Sequence, residues 1–222
     1  MIDADGRPVH LAWRYSRAEL IADGVVHVLG LVLAISGAGA LVALAAYRLA
    51  ASEIAAVTVY ALGLVLLLAV SAAYNMWPIS RTKWLLRRVD HASIFILIAA
   101  TYTPFMTRMP AEGAALAVFI GVWAVAIGGA VLKFAMPGRF DRTAIVAYLL
   151  LGFSGILAWE TVSTTLSGST IALIVTGGLI YAGGVVFHVW SSLRFQNAVW
   201  HGFVLVASAV FYSAILTGVV LG

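Results

Sequence analysis

The residues of this chain that could take part in chemistry are few, and their spacing groups them. Three pairs repeat the four-residue spacing that places two side chains on one helix face: Asp23 with His27, Ser71 with Asn75, and Asn197 with His201. Asp90 and His91 are adjacent, and His188 precedes the last pair. Carboxylate, imidazole and hydroxyl groups bind metal ions and transfer protons. These residues lie in or beside apolar stretches, where an ionisable side chain is costly and indicates function or a specific partner.

Seven apolar stretches must position these side chains. With 63% hydrophobic and 10% charged residues, the chain has too little polar surface for a soluble protein of 222 residues. A helix needs about 20 apolar residues to cross a bilayer, and the predicted spans are 20–46, 54–77, 91–107, 114–132, 144–159, 170–189 and 199–221. The third and fifth are short for a full crossing. The predicted fold class is all-α, a seven-transmembrane helix bundle over residues 20–222, preceded by a cytosolic segment over residues 1–19. The run Ser16 to Glu19 predicts a capping box that opens the first helix.

The Lys and Arg residues predict the orientation of the bundle. Of the 13, eleven fall in every second connection: Arg7, Arg14, Arg17, Arg81, Lys83, Arg87, Arg88, Lys133, Arg139, Arg142 and Arg194. Only Arg48 and Arg108 fall in the others. Cytoplasmic loops collect Lys and Arg, so the N-terminus is cytosolic, the C-terminus is outside, and the candidate residues form one layer near the inner leaflet.

Composition also limits the partners. The net charge of +4 follows from the basic inner loops, which face anionic lipid headgroups, so membrane lipids are the expected partners and nucleic acid is not. The absence of cysteine excludes disulfides, thiolate nucleophiles and cysteine-ligated metals.

Each candidate residue also has a structural interpretation. Asp23 and His27 could form a hydrogen-bonded pair that only stabilises packing. Asp90 could cap the third helix, and His91 and His188 could lie in the headgroup region. His201 is the best single candidate for a functional role, and the convergence of five helices on one layer favours a site.

Several runs resemble a known family. The runs 71–75, 86–95, 100–105 and 197–201, with 23–27 upstream, are similar to the hemolysin III family, the bacterial branch of the progestin and adipoQ receptor (PAQR) superfamily. The resemblance covers all seven spans and implies seven helices, a cytosolic N-terminus and a bacterial inner membrane.

The resemblance also implies a zinc ion near the cytosolic face, held in the wider superfamily by three histidines. Ser71, His201 and Asp90 match the superfamily's serine, one histidine and the acidic position. Asn75 and Asn197 stand at the other two histidine positions, and an amide oxygen is a poor Zn²⁺ ligand beside imidazole. Three-histidine zinc binding is therefore not expected, and His27 and His201 regrouped with Asp90 around a metal are the alternative.

Three functions are compatible with these features. The first is a non-enzymatic membrane protein of the hemolysin III type, acting in lipid homeostasis or cytolysis, with a degenerate metal site. The second is a metal-dependent hydrolase of lipid amides, similar to the ceramidases, with Asp90 and Ser71 as catalytic residues. The third is a receptor-like module that binds a lipid or fatty acyl chain. Asn75 and Asn197 count against the enzyme.

Overall fold

The computed structural model describes residues 15–136 and 140–222, which are helical with short connections. Eight α-helices follow one another: α1 (Arg17–Arg48), α2 (Ala51–Met76), α3 (Arg81–Met106), α4 (Gly113–Ala135), α5 (Asp141–Phe153), α6 (Trp159–Thr165), α7 (Gly168–Val189) and α8 (Gln196–Ile215). A 3₁₀ turn, Ser154–Ala158, joins α5 to α6, and a π-helical turn, Leu216–Val220, extends α8. Most of the predicted cytosolic segment 1–19 lies outside the described residues.

In the described part of the chain, seven segments are long and apolar enough to cross a membrane. The fifth is Asp141–Thr165, which combines α5, the 3₁₀ turn and α6, and the seventh continues α8 to Val220. Large apolar side chains on the outer faces are exposed, including Val25, Val28 and Val32 of α1, as expected where a helix contacts lipid. The predicted all-α bundle of seven spans is confirmed.

The third span begins ten residues earlier than predicted, and it is not short. Ser80 caps α3 by accepting the Lys83 N–H at 3.2 Å, so the charged residues that the prediction assigned to a loop belong to the helix. The Lys83 ammonium is buried and donates to the carbonyls of Tyr74, Asn75 and Trp77 at 2.8, 3.0 and 2.9 Å. These carbonyls end α2 and lack helical partners. Asp90 therefore lies inside α3 and does not cap it.

The fifth span is also longer than predicted, and it is interrupted. Its 3₁₀ turn disrupts backbone pairing, which inside a bilayer must be restored by neighbouring groups. The Tyr102 hydroxyl of α3 accepts the Gly155 N–H at 3.0 Å and lies 3.0 and 2.9 Å from the carbonyl oxygens of Leu151 and Gly152. One tyrosine therefore makes the irregular backbone tolerable at membrane depth.

The first and last spans, α1 and α8, are joined at their N-terminal ends. The predicted capping box is confirmed: the Ser16 hydroxyl accepts the Glu19 N–H at 3.3 Å, and a Glu19 carboxylate oxygen accepts the Ser16 N–H at 2.9 Å. The other Glu19 oxygen accepts the Phe195 N–H at 3.1 Å, just before α8. Phe195 has φ of 61°, a left-handed conformation that turns the chain into α8. This contact fixes the register of α1 against α8.

Candidate functional site

Asp23, His27 and His201 form a compact group one turn above the Glu19–Phe195 contact. The His201 Nδ1 lies 2.6 Å from Asp23 Oδ1, and His27 Nε2 lies 3.6 Å from Asp23 Oδ2. The centroids of the two imidazole rings are 4.3 Å apart. An ionised carboxylate only accepts hydrogen bonds, so His201 Nδ1 carries the proton in this contact.

The group faces the interior of the bundle. Asp23 is 3% exposed and His27 is 5% exposed, whereas Val25 and Val28 on the opposite face of α1 are 62% and 66% exposed. The four-residue spacing on α1 explains why the two polar side chains share the inner face. His201 reaches them from α8 because the Glu19–Phe195 contact sets the two helices side by side.

One atom of this group lacks a hydrogen bond. Among the described residues, His27 Nε2 is fully buried and has no hydrogen-bond partner, since its 3.6 Å distance from Asp23 exceeds bonding range. Leaving a buried polar atom unsatisfied costs about 1–3 kcal/mol. The two imidazoles and the carboxylate each offer a ligand atom, and these atoms lie within 4.8 Å of one another. Such a donor set fits a divalent metal of the zinc or iron type.

A second polar group, on α2 and α3, lies beside the first. Ser71 and the buried Asp90 carboxylate face the same cavity, and Asp90 is near enough to Ser71 and His27 to interact with them electrostatically. The Asn75 amide donates to the Ser71 carbonyl at 2.9 Å and approaches the Ser71 hydroxyl at 3.5 Å. The Asn75 amide nitrogen is therefore engaged within its own helix.

Both groups face one large cavity. Its volume is about 1000 Å³, at the upper end of the range for small-molecule sites. All seven candidate residues lie on its wall: Asp23, His27, Ser71, Asn75, Asp90, Asn197 and His201. His91 and His188 line it as well. The structure thus brings the candidate residues together, while their catalytic and metal-binding roles stay predictions.

The cavity continues from this polar layer into the apolar part of the bundle. Along α2 its wall runs from Asn75 to Tyr60, about 22 Å at 1.5 Å per residue. Its far end is lined by apolar residues such as Phe105, Ala158 and Leu166. The cavity is therefore amphipathic, with its polar end at the side of the bundle where α1 and α8 begin.

Sequence reasoning missed a cluster of charges at the cytosolic end of α5. The Asp141 carboxylate lies 2.8 Å from Arg87 Nη2 and accepts a short hydrogen bond from the buried Lys133. His91 Nδ1 is 4.0 Å from the same carboxylate. The available signal was a lone acidic residue at the start of a span whose neighbouring inner loops are basic.

Comparison with known proteins gives consistent results. The family model described as "Haemolysin-III related" matches residues 17–212. The chain is 33% identical to "Hemolysin-3 homolog" of Bacillus subtilis (strain 168) over 89% of this chain and 93% of that protein. It is also 33% identical to "Hemolysin-3" of Bacillus cereus, over 89% and 90%. The human "Monocyte to macrophage differentiation factor" is 32% identical over 71% of this chain and 67% of its own length. No solved structure matches the chain.

Proposed function

Because the chain belongs to the haemolysin-III-related family of membrane proteins, we propose that it binds a lipid acyl chain inside its helix bundle and acts in membrane lipid homeostasis. The observation that carries the proposal is the single cavity that joins the polar layer to an apolar interior. An amphiphile has the same division, with a polar headgroup and an apolar chain.

The dimensions of the cavity support a lipid ligand. An acyl chain in one leaflet spans about 15 Å, half of a hydrocarbon core of about 30 Å. The cavity wall along α2, about 22 Å long, accommodates such a chain together with a headgroup beside Ser71 and Asn75. Its far end is mostly apolar, lined by Phe105, Ala158 and Leu166, with the Tyr60 hydroxyl as a polar group there.

The same lining argues against lysis through a pore in a single chain. The name of the Bacillus cereus relative refers to haemolysis. If a single chain lysed membranes by forming a conducting pore, that pore would need polar groups from one membrane face to the other. In this cavity the charged and imidazole side chains lie at one end, and beyond them the lining is mostly apolar with a few hydroxyls, such as those of Tyr60, Thr101 and Ser208. Lipid binding therefore explains the arrangement better than ion conduction does.

Binding of a ceramide with a radiolabelled palmitoyl chain to the purified protein in detergent micelles tests the proposal. The wild type should bind it saturably. Ile94→Trp, on the cavity wall, should weaken binding by about tenfold or more, because the indole occupies space that the acyl chain would fill and such overpacking costs about 1–3 kcal/mol. The matched control is Ile120→Trp, at a position 58% exposed on the outer surface, which should bind like the wild type. Absence of saturable binding, or equal effects of the two substitutions, would contradict the proposal.

A second candidate function is hydrolysis of a lipid amide, favoured by the position of Ser71 and Asp90 beside the Asp23–His27–His201 group. A divalent metal bound there would supply Lewis-acid activation of water. Asp90 would transfer a proton at its carboxylate, and the neighbouring Ser71 hydroxyl would help to position the substrate, since both line the cavity. In the same samples, release of labelled palmitate that Asp90→Asn abolishes, with ceramide binding retained, would establish the hydrolase. Binding without release would leave lipid binding as the function.

A further inference from the structure

We propose that Asp23, His27 and His201 form a divalent metal site whose ligands come from α1 and α8. The site differs from the three-histidine site that the resemblance implies, and it does not depend on lipid binding. The implied site does not fit this chain, since two of its positions are Asn75 and Asn197. The Asn75 amide nitrogen already donates to the Ser71 carbonyl at 2.9 Å.

The geometry of the group supports coordination. Two imidazole nitrogens and one carboxylate oxygen lie within 4.8 Å of one another and face the cavity. Metal–ligand bonds of about 2.0–2.2 Å need donor atoms somewhat closer than this, which small side-chain rotations provide. Two histidines and one carboxylate are sufficient protein ligands for a catalytic zinc ion, with a further position open to the cavity.

An independent observation points to a ligand at the same place. The His27 Nε2 atom is buried, and in the part of the chain that the structure describes it has no hydrogen-bond partner. A purely structural Asp–His pair would place this nitrogen in bonding distance of Asp23, as His201 Nδ1 is at 2.6 Å. A metal ion would satisfy the lone pair of His27 and balance the Asp23 charge together.

The surrounding contacts hold the three residues in place. Glu19 fixes α1 to the start of α8 through the Phe195 N–H, one turn below the site. Asp23 and His27 share one turn of α1, so the same contact positions both. Metal ligands need this support, because looseness of their outer contacts lowers metal affinity by about 10- to 100-fold.

The experiment measures metal directly. Wild-type protein, purified and stripped with a chelator, is titrated with Zn²⁺, and bound zinc is counted by elemental analysis. Co²⁺ is used in parallel because its visible absorption reports coordination. The expected result is one metal ion per chain and a cobalt spectrum typical of nitrogen and oxygen ligands. Wild-type protein that binds no zinc above the level of empty micelles and gives no such spectrum would overturn the proposal.

Ligand variants locate the metal. Loss of an outer contact of a metal site lowers metal affinity by about 10- to 100-fold. Loss of a ligand should have a larger effect on Zn²⁺ affinity, and the ligand variants are His27→Gln, His201→Gln and Asp23→Asn. His188→Gln is the matched control, because His188 also lines the cavity but is outside the group. It should retain wild-type affinity. Equal losses in the control and the ligand variants would overturn the assignment.

A measurement of thermal stability distinguishes loss of the metal site from poor folding of a variant. Zinc should raise the unfolding temperature of the wild type and of His188→Gln, because a ligand that binds only the folded state stabilises it. It should not raise that of the ligand variants. Unchanged stability of the wild type at saturating zinc would contradict a site within the bundle.

Discussion

The interruption of the fifth span leads to the most quantitative prediction, the effect of Tyr102→Phe. The Tyr102 hydroxyl accepts the Gly155 N–H at 3.0 Å and lies in donating distance of the Leu151 and Gly152 carbonyls. Removing it leaves a donor of the 3₁₀ turn without this partner, at membrane depth, where no bulk water replaces it. The substitution changes no other atom of the side chain.

The magnitude follows from two estimates. A buried donor left unsatisfied costs about 1–3 kcal/mol, whereas interhelical hydrogen bonds in membrane proteins average about 0.6 and reach about 1.7 kcal/mol. Because Tyr102 bonds several groups of one irregular turn, we expect about 1–2 kcal/mol. For a chain of this size, that lowers the unfolding temperature by roughly 2–8 °C.

A matched control lies in the same helix pair. The Tyr148 hydroxyl of α5 donates to the His91 carbonyl of α3 at 2.8 Å, and that carbonyl lies in the interior of a regular helix. Tyr148→Phe therefore removes one bond without disturbing an irregular backbone, and it should cost about 0.6 kcal/mol. Tyr47→Phe, at a side chain 88% exposed, gives the baseline.

The assay is thermal unfolding of the purified protein in one detergent, followed by circular dichroism with all variants at equal concentration. The expected order of destabilisation is Tyr102→Phe, then Tyr148→Phe, then Tyr47→Phe. A Tyr102 variant no less stable than the Tyr148 variant would refute the argument that this hydroxyl compensates for the broken helix.

Two further predictions concern the cytosolic end of the bundle and its orientation. Lys83→Met should lower the free energy of unfolding by about 1–3 kcal/mol, because three terminal carbonyls of α2 lose a buried donor, and an unchanged unfolding temperature would count against this. Since the chain has no cysteine, single cysteines report sidedness. A membrane-impermeant maleimide applied to intact spheroplasts should label Ala111→Cys, and should label Ile79→Cys only after permeabilisation; the reverse pattern would contradict the orientation.

The sequence was sufficient to predict the seven-helix architecture because many residues contribute to each of its signals. Seven apolar runs and the alternation of basic connections predict the same bundle, and a single misplaced residue alters neither. The predicted start of the third span was wrong because its charged residues were assigned to a loop. Lys83 binds the end of the preceding helix, and Asp141 binds Arg87, 54 positions away along the chain; neither contact leaves a periodic signal in the sequence.

The sequence predicted which residues belong to the candidate site, but it did not predict which of them lie next to one another. Helical spacing places Asp23 and His27 on one face, but it does not say which helix they meet. The structure brings His201 to Asp23, 178 positions away along the chain, and leaves Asp90 with Ser71. His27 and His201 lie together, with Asp23 rather than Asp90 as the neighbouring carboxylate, and their binding of a metal stays a prediction.

The bundle is packed more tightly around one wall of the cavity than around the other, and the candidate site lies on the tightly packed wall. The larger apolar core joins α1, α2, α3 and α8 through residues such as Leu41, Val57, Leu97 and Ile215. Asp23, His27, Ser71, Asp90 and His201 all project from these four helices. The opposite wall of the cavity, on α5 and α7, is mostly apolar. Helix α5 is attached to α3 by polar contacts of Tyr102, Tyr148 and Asp141. Groups that need fixed distances thus lie on the tightly packed side, as a preorganised site requires. The opposite wall, which an acyl chain would also contact, needs only to be apolar.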